Sequence, residues 1–328
     1  MRVLLALGGN AMTSADGRAR PEDQIAAARV AMGAVADLLT SPPAAGADPV
    51  DPVDPVDVVL THGNGPQVGN LLVKNELAAG VVPPVPLDWC GAQTQGTLGF
   101  VLMDALDDAL ARRDSDRRCA AVVTRTRVDA DDPGLSTPTK PVGRFLSAAE
   151  AEPLIAHGEI WEDRGEKGWR RVVGSPEPRE ILDAAAVRTL VDAGYVVVAN
   201  GGGGIPVVRD TDDRGRQVLR GVEAVIDKDL GAALLALTVE ADVLVVATDV
   251  PHAILRYGTP EAEPLGEVTV SRMRELAADG HFASGSMGPK VDAACRFVEQ
   301  GGQRSVITNL EHILDAVAGT SGTVVVPD

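Results

Sequence analysis

The chain has 328 residues, of which 45% are hydrophobic and 23% are charged, as is typical of a globular protein with a large core. Its formal net charge of −17 argues against a nucleic-acid backbone as a partner, because two negatively charged surfaces repel each other. No segment is apolar for long enough to span a bilayer, no secretory leader precedes the first strand, and the three cysteines lack disulfide spacing, so we expect a cytoplasmic protein that binds no membrane.

Apolar runs typical of strands alternate with helical patterns along most of the chain. Strands are predicted over residues 3–7, 56–61, 120–125, 196–199, 243–248, 305–308 and 323–326. Helices are predicted over residues 21–39, 67–79, 91–112, 184–193, 229–238, 270–278 and 289–300. This alternation predicts an α/β fold in which an open, mostly parallel sheet lies between two layers of helices.

Two stretches interrupt the alternation. Residues 48–57 repeat the tripeptide Asp-Pro-Val, which suits neither a helix nor a central strand and predicts a solvated loop. Residues 127–173 are rich in Asp, Pro, Gly and charge, and they predict a small subdomain that protrudes from the main sheet.

Polar and glycine-rich segments follow several predicted strands, and in open α/β sheets ligands bind beyond the carboxyl ends of the strands. These segments are Gly8-Gly9-Asn10, His62-Gly63-Asn64-Gly65, residues 200–204 and Thr248-Asp249. They predict one shared site. Within it we interpret His62 as a turn residue bonded to the backbone rather than as a general base.

Four consecutive glycines, residues 201–204, can bring bare backbone amides close to a phosphate. No lysine follows them, unlike in the common phosphate loop, so the positive charge must come from elsewhere. Lys228 lies between Asp227 and Asp229 where a helix begins; it is either part of a solvated charge cluster or an ammonium group that the carboxylates orient. Lys290 follows a Gly-Pro pair at the start of another helix, an end that attracts anions.

The motifs together resemble those of the carbamate kinases, which belong to the amino acid kinase superfamily. The stretches that carry the resemblance are "LGGNAM" (7–12), "THGNGPQVGNLL" (61–72), "PLDWCGAQTQGTLGF" (86–100), "DDPGLSTPTKPVG" (131–143), "GGGGIPVV" (201–208), "GVEAVIDKDL" (221–230), "TDVPHAILRYGT" (248–259) and "GHFASGSMGPKV" (280–291). The resemblance implies reversible phosphoryl transfer between ATP and carbamate, giving ADP and carbamoyl phosphate, with Mg²⁺ and in a homodimer. It also implies one amino acid kinase domain over residues 1–328, with a carbamate lobe over about 1–200 and a nucleotide lobe over about 201–328.

The resemblance further assigns roles to individual residues. Asp229 would orient Lys228 and Lys290 on the transferring phosphoryl group, and Lys140 would reach over the carbamoyl group from the protruding subdomain. The residues that would bind substrate are Gly9, Asn10, Gly63, Asn64, Gly202 and Gly203. The residues that would bind nucleotide are Thr248, Asp249, Tyr257, Met287, Gly288 and Lys290. Metal ligands are not assigned.

Two other functions are compatible with parts of the pattern. Another amino acid kinase, acting on an acylated amino acid or on UMP, would share the fold but is not expected to carry "PTKPVG". A non-catalytic regulator that binds nucleotide would not need the complete set of lysines and aspartates. One departure from the carbamate kinase pattern is "QTQG" at residues 93–96, where "MSQG" is usual.

Overall fold

The computed structural model describes residues 1–8, 20–41, 56–156, 158–282 and 287–328, so Gly9, Asn10 and most of the Asp-Pro-Val repeat lie outside the described residues. The described strands are β1 Arg2–Leu7, β2 Asp57–His62, β3 Cys119–Ala121, β4 Arg125–Arg127, β5 Lys140–Leu146, β6 Trp161–Asp163, β7 Trp169–Val173, β8 Glu180–Ile181, β9 Val196–Val198, β10 Ile205–Thr211, β11 Gln217–Gly221, β12 Val243–Thr248, β13 Ile254–Leu255, β14 Glu263–Pro264, β15 Glu267–Thr269, β16 Arg304–Asn309 and β17 Thr323–Val326. The described α-helices are α1 Pro21–Thr40, α2 Gly65–Ala78, α3 Leu87–Ala111, α4 Pro133–Ser136, α5 Ala148–Ala156, α6 Ala184–Asp192, α7 Lys228–Thr238, α8 Val270–Ala278, α9 Met287–Glu299 and α10 Ile313–Ala318.

The main sheet has eight strands in the order β15-β17-β16-β12-β1-β2-β9-β3. Its strands from β16 to β3 run parallel, and β17 is antiparallel to β16. Alternate residues of β1 point to opposite faces: Leu5 packs with α1, α3 and α10, whereas Leu4 packs with α6 to α9. The predicted three-layer arrangement, with a mostly parallel sheet between two helical layers, is therefore confirmed.

The described residues also form three smaller sheets, of which one is the two-stranded pair β13-β14 and the other two bear on the site. The first has the order β11-β10-β4-β8, and it receives the chain directly from β3 and from β9 of the main sheet. The second is the antiparallel sheet β5-β7-β6, which packs with α5 over the side chains of Leu146, Ala151 and Trp161. We call this second sheet and α5 the protruding subdomain.

One predicted strand, over residues 120–125, is wrong because the chain changes sheets within it. β3 ends at Ala121, and β4 begins at Arg125 in the other sheet. Between them, the backbone N–H of Thr124 donates to the Gln95 side chain (2.8 Å) rather than to a neighbouring strand. The predicted helix over 91–112 begins four residues earlier, at Leu87.

None of the helices in the described ranges is both long enough and apolar enough to cross a membrane. The three cysteines are free: Cys90 and Cys295 are buried, and Cys119 is partly exposed. Burial raises the pKa of each of these thiols, so they are protonated at neutral pH.

Candidate active site

A tight glycine turn connects β9 of the main sheet to β10 of the neighbouring sheet. The turn comprises Gly201–Gly203 and follows Asn200, whose backbone is left-handed (φ 55°). A Cβ at Gly201 would overlap the His62 ring, and one at Gly202, which has φ 68°, would overlap the Asn64 side chain. The glycine run is therefore required both by backbone conformation and by close packing against the end of β2.

Buried polar side chains hold this turn in place. Asn200 accepts a hydrogen bond from the Thr126 hydroxyl (2.9 Å) and donates one from its Nδ2 to the backbone carbonyl of Gly231 in α7 (3.1 Å). Gln95 of α3 donates from Nε2 to the carbonyl of Gly201 (3.1 Å). Because Asn200 and Gln95 are buried, each bond forms in a setting where an unpaired partner would be costly.

Helix α7 packs against the glycine turn and carries Lys228 at its first position. A Cβ at Gly231 would come within 2.9 Å of the Cα of Gly203, so the helix and the turn are in direct contact. Asp227 is the N-cap of α7, and its carboxylate accepts from the backbone N–H groups of Asp229 (2.9 Å) and Leu230 (3.4 Å). The cap fixes the start of the helix and with it the position of Lys228.

One buried carboxylate brings Lys228 and Lys290 together. Asp229 binds the Nζ of Lys228 at 2.5 Å through Oδ1 and the Nζ of Lys290 at 3.3 Å through Oδ2. The Asp229 side chain is only 4% exposed, whereas those of Lys228 and Lys290 are 20% and 13% exposed. Two ammonium groups thus share one negative charge, which leaves a net positive charge at the start of α7.

The third candidate lysine reaches the same segment from the protruding subdomain. Lys140, the first residue of β5, forms an ion pair with Asp227 (3.2 Å) and donates to the carbonyl of Ile226 (3.4 Å). Burial alone would raise the pKa of Asp227, but the Lys140 charge, the Asp229 amide and the Lys228 charge together hold that pKa below its ordinary value. Asp227 therefore forms its ion pair with Lys140, whereas Asp229 forms ion pairs with Lys228 and Lys290.

The end of β2 supplies the next group of candidate residues. Asn64 is buried and donates from Nδ2 to the Thr94 hydroxyl (2.8 Å). Thr94, which occupies the position of the usual Ser in "QTQG", therefore holds a predicted substrate-binding residue in place. The Nδ1 of buried His62 faces the carbonyl of Gly63 (3.1 Å), to which it donates as the Nδ1–H tautomer. Burial lowers the pKa of His62 to about 4, only partly opposed by this bond, so the ring is neutral at pH 7. This geometry matches the interpretation of His62 as a backbone-bonded residue.

The predicted nucleotide-binding residues lie at the ends of two elements and in one loop. Thr248 ends β12 and donates its hydroxyl to Asp249 (3.0 Å). Met287 and Gly288 form the first turn of α9, three and two residues before Lys290. Tyr257 follows β13, and its side chain is 74% exposed. The structure thus joins Met287 and Gly288 to the lysine cluster through α9.

A cavity of about 630 Å³ opens beside Lys140 and Asn64. It lies between the start of α2 on one side and β5 with Arg170 of β7 on the other. Among the described residues, no group of three or more His, Cys, Asp or Glu side chains is placed to hold a metal ion. Both oxygens of Asp229 already bind lysines, so the site fits a divalent cation that arrives with nucleotide phosphates and water as its main ligands.

The sequence profile of the amino acid kinase family matches residues 1–309. The chain belongs to the amino acid kinase family. Within the family, the carbamate kinases of Thermococcus kodakarensis and Pyrococcus furiosus are 42% and 40% identical to it, each over 99% of both chains. The solved structure of carbamate kinase from Giardia lamblia bound to AMP-PNP is 40% identical, covers 100% of this chain and 98% of its own, and superposes with a TM-score of 0.89.

Sequence reasoning did not assign several residues that position this amino acid kinase site. The sequence predicts Asp227 as one of two carboxylates that orient Lys228, whereas in the structure it caps α7 and binds Lys140. Gln95, Thr126 and Asn200 hold the glycine turn through partners up to 106 positions away. Thr94 and Gln95 are polar residues on the otherwise apolar buried face of α3, and this pattern is a sequence signal for a buried polar network.

Proposed function

We propose that this protein is a carbamate kinase, catalysing ATP + carbamate = ADP + carbamoyl phosphate in both directions. The observation that carries the proposal is the convergence of Lys228 and Lys290 on Asp229 next to the glycine turn, with Lys140 on the adjacent Asp227. Similarity to carbamate kinases over the whole chain supports the choice of acceptor.

In the ATP-forming direction, an oxygen of the ADP β-phosphate attacks the phosphorus of carbamoyl phosphate. The bond between that phosphorus and the carbamate oxygen breaks, and carbamate leaves as an anion, so no proton has to be removed. This chemistry needs no general base, in agreement with the neutral, buried His62. The obstacle is repulsion between two anions, which positioned cations reduce.

The chain's own residues would divide this work as follows. Lys228 and Lys290 would neutralise the transferring phosphoryl group, and the amides of Gly202 and Gly203 would donate to its oxygens. Gly9, Asn10, Gly63, Asn64 and Lys140 would surround the carbamate. The nucleotide would lie against Thr248, Asp249, Tyr257, Met287 and Gly288. Mg²⁺ would bind chiefly to phosphate oxygens and water and would offset their charge.

On this proposal the acceptor binds in the lobe over about residues 1–200, beside the protruding subdomain, and the nucleotide binds in the lobe over about 201–328. We also infer a cytoplasmic location, because the three cysteines are free thiols, as is usual in a reducing compartment.

We further infer a homodimer, with an interface on one face of α3. Trp89 and Phe100 are 63% and 62% exposed, and because eleven residues make about three helical turns, they lie on the same face. The neighbouring β3 is the open edge of the main sheet, and Val123 just beyond it is 56% exposed. An exposed apolar face beside an unpaired strand edge is typical of a surface that a partner covers. Light scattering should give a dimer for the native protein and a monomer for Phe100→Glu.

A coupled assay tests the catalytic proposal. Purified protein with ADP and carbamoyl phosphate should form ATP, and ATP should be consumed with carbamate but not with N-acetylglutamate or UMP. Lys228→Ala should lower turnover by about a hundredfold or more, the scale of losing a charged group from a transition state. Lys167→Ala, a matched change at an exposed lysine of the protruding subdomain, should leave turnover unchanged. ATP consumption with one of the other acceptors only would contradict the assignment.

A further inference from the structure

The cavity beside the lysine cluster has a lining of unusual charge for so acidic a chain. Four cationic side chains line it, and none of its lining residues among those described is Asp or Glu. The cations are Arg20, Lys140, Arg144 and Arg170. The whole chain has a formal net charge of −17, so a lining without a carboxylate stands out against the rest of the surface.

The cations follow one path along the protruding subdomain. β5 carries Lys140 at its start and Arg144 four residues later, which is a span of at most about 13 Å, because the strand is irregular at Gly143. Exposure rises along this path, from 26% for the side chain of Lys140 to 47% for that of Arg144. Arg170 on β7 pairs in register with Phe145, next to Arg144. The two arginines therefore form the outer part of a lining whose inner part is Lys140 and Asn64.

Arg170 is the least compensated of these cations. Arg144 forms an ion pair with Glu76 at 3.4 Å, and Arg20 forms one with Asp23 at 2.5 Å. Arg170 forms no ion pair with any residue that the structure describes; its guanidinium lies 4.9 Å from the centre of the Phe145 ring, and its Nε is buried without a hydrogen-bond acceptor. Burial and the nearby Arg164 lower the pKa of Arg170, as expected for a guanidinium that has no carboxylate beside it.

We propose that Arg170 and Arg144 form an outer anion site that captures the phosphate group of carbamoyl phosphate before it reaches Lys140 and the glycine turn. The inference rests on the proposed carbamate kinase function and adds a step of substrate capture to it. An uncompensated guanidinium presents paired donors that suit phosphate oxygens, and it stays protonated throughout the physiological pH range. A cavity lined by charges of one sign concentrates the opposite ion and raises its association rate.

The test compares Arg170→Gln with Arg164→Gln. Arg164 lies on the same subdomain, where its side chain is 43% exposed beside Glu162 and does not line the cavity. Both variants remove one positive charge, so only the position of that charge differs. At low ionic strength, kcat/KM for carbamoyl phosphate should fall roughly threefold to tenfold in Arg170→Gln, while kcat stays within twofold. At about 0.5 M salt the difference should shrink below twofold, because screening then acts within a few ångströms. Arg164→Gln should match the native protein, and Arg170→Lys should keep most of the native rate.

Three results would overturn the outer site. They are an unchanged kcat/KM in Arg170→Gln, an equal loss in Arg164→Gln, and a fall in kcat with KM unchanged. If the native protein forms no ATP at all, the catalytic proposal fails by itself, and calorimetric titration with inorganic phosphate decides the outer site. The outer site then requires a phosphate-binding event that Arg170→Gln loses and Arg164→Gln retains; equal isotherms for both variants would exclude it.

Discussion

Replacing Asp229 by Asn perturbs the centre of the lysine cluster while keeping the shape of the side chain. Asp229 binds both Lys228 and Lys290, at 2.5 and 3.3 Å, and it is almost fully buried. Without it, two ammonium groups roughly 6 Å apart repel each other by about 3 kcal/mol at an effective dielectric constant near 20. Removing one partner from a buried ion pair costs a similar amount, ~3–5 kcal/mol. Because both lysines are partly exposed and can turn toward water, we expect a loss of about 2–3 kcal/mol in the free energy of unfolding.

We expect a loss of activity beside the loss of stability, since the lysines must also point at the phosphoryl group. Turnover in ATP formation should fall by about a hundredfold or more in a protein that is still folded below 25 °C. Urea unfolding and the coupled assay measure the two effects. Asp108→Asn is the matched control, because Asp108 pairs with Arg112 at an exposed position and should contribute less than about 1 kcal/mol. Turnover within threefold of native for Asp229→Asn, with an unchanged urea midpoint, would refute the reasoning.

Three further predictions concern the turn, the buried histidine and the subdomain lysine. Gly202→Ala should lower activity at least tenfold, because an alanine with a left-handed backbone would overlap the Asn64 side chain. Gly33→Ala, at an open position of α1, should instead stabilise the folded protein by ~0.5–1 kcal/mol. Urea unfolding and the coupled assay measure both variants. The folded pKa of His62, about 4, lies below its unfolded value of 6.5, so the unfolded chain binds more protons between these two pH values. The free energy of unfolding should therefore fall by up to ~3 kcal/mol as the pH drops from 6.5 to 4. In His62→Gln this dependence of stability on pH should become flatter. Lys140→Met should move acid unfolding to higher pH. The lowered pKa of Asp227 stabilises the folded protein at pH values above the unfolded pKa, and this contribution is lost as the pH falls through the folded pKa. An unchanged midpoint of acid unfolding would contradict the Lys140–Asp227 ion pair.

Local sequence patterns were sufficient for the layers of the fold. Apolar strands such as β1 and β12 are buried on both faces and alternate with helices, and this arrangement leaves a parallel sheet covered on both sides as the consistent solution. The change of sheet between β3 and β4 could not be predicted, because it depends on a hydrogen bond from the Thr124 backbone to Gln95, which is distant in sequence and lies in α3. A continuous β-branched run does not show where its hydrogen-bond partners change.

For the site, the charged side chains could be predicted from the sequence, whereas the buried residues that position them could not. Lys228 and Lys290 stand out because lysine is scarce in this chain and both lie in the first turn of a helix. That one carboxylate joins them is a tertiary fact, since Asp229 and Lys290 are 61 positions apart. The backbone of Asn200 is left-handed, and four buried hydrogen bonds to Thr61, Thr124, Thr126 and Gly231 set the shape of the turn.

The central claim is that cations from separate elements meet over the glycine turn at the transferring phosphoryl group. A crystal structure of the protein with ADP and aluminium fluoride, a mimic of that group, tests it most directly. We expect the fluoride within about 3.2 Å of Lys228 Nζ, Lys290 Nζ and an amide of Gly202 or Gly203. A fluoride held elsewhere, with Lys228 and Lys290 still bound only to Asp229, would contradict it.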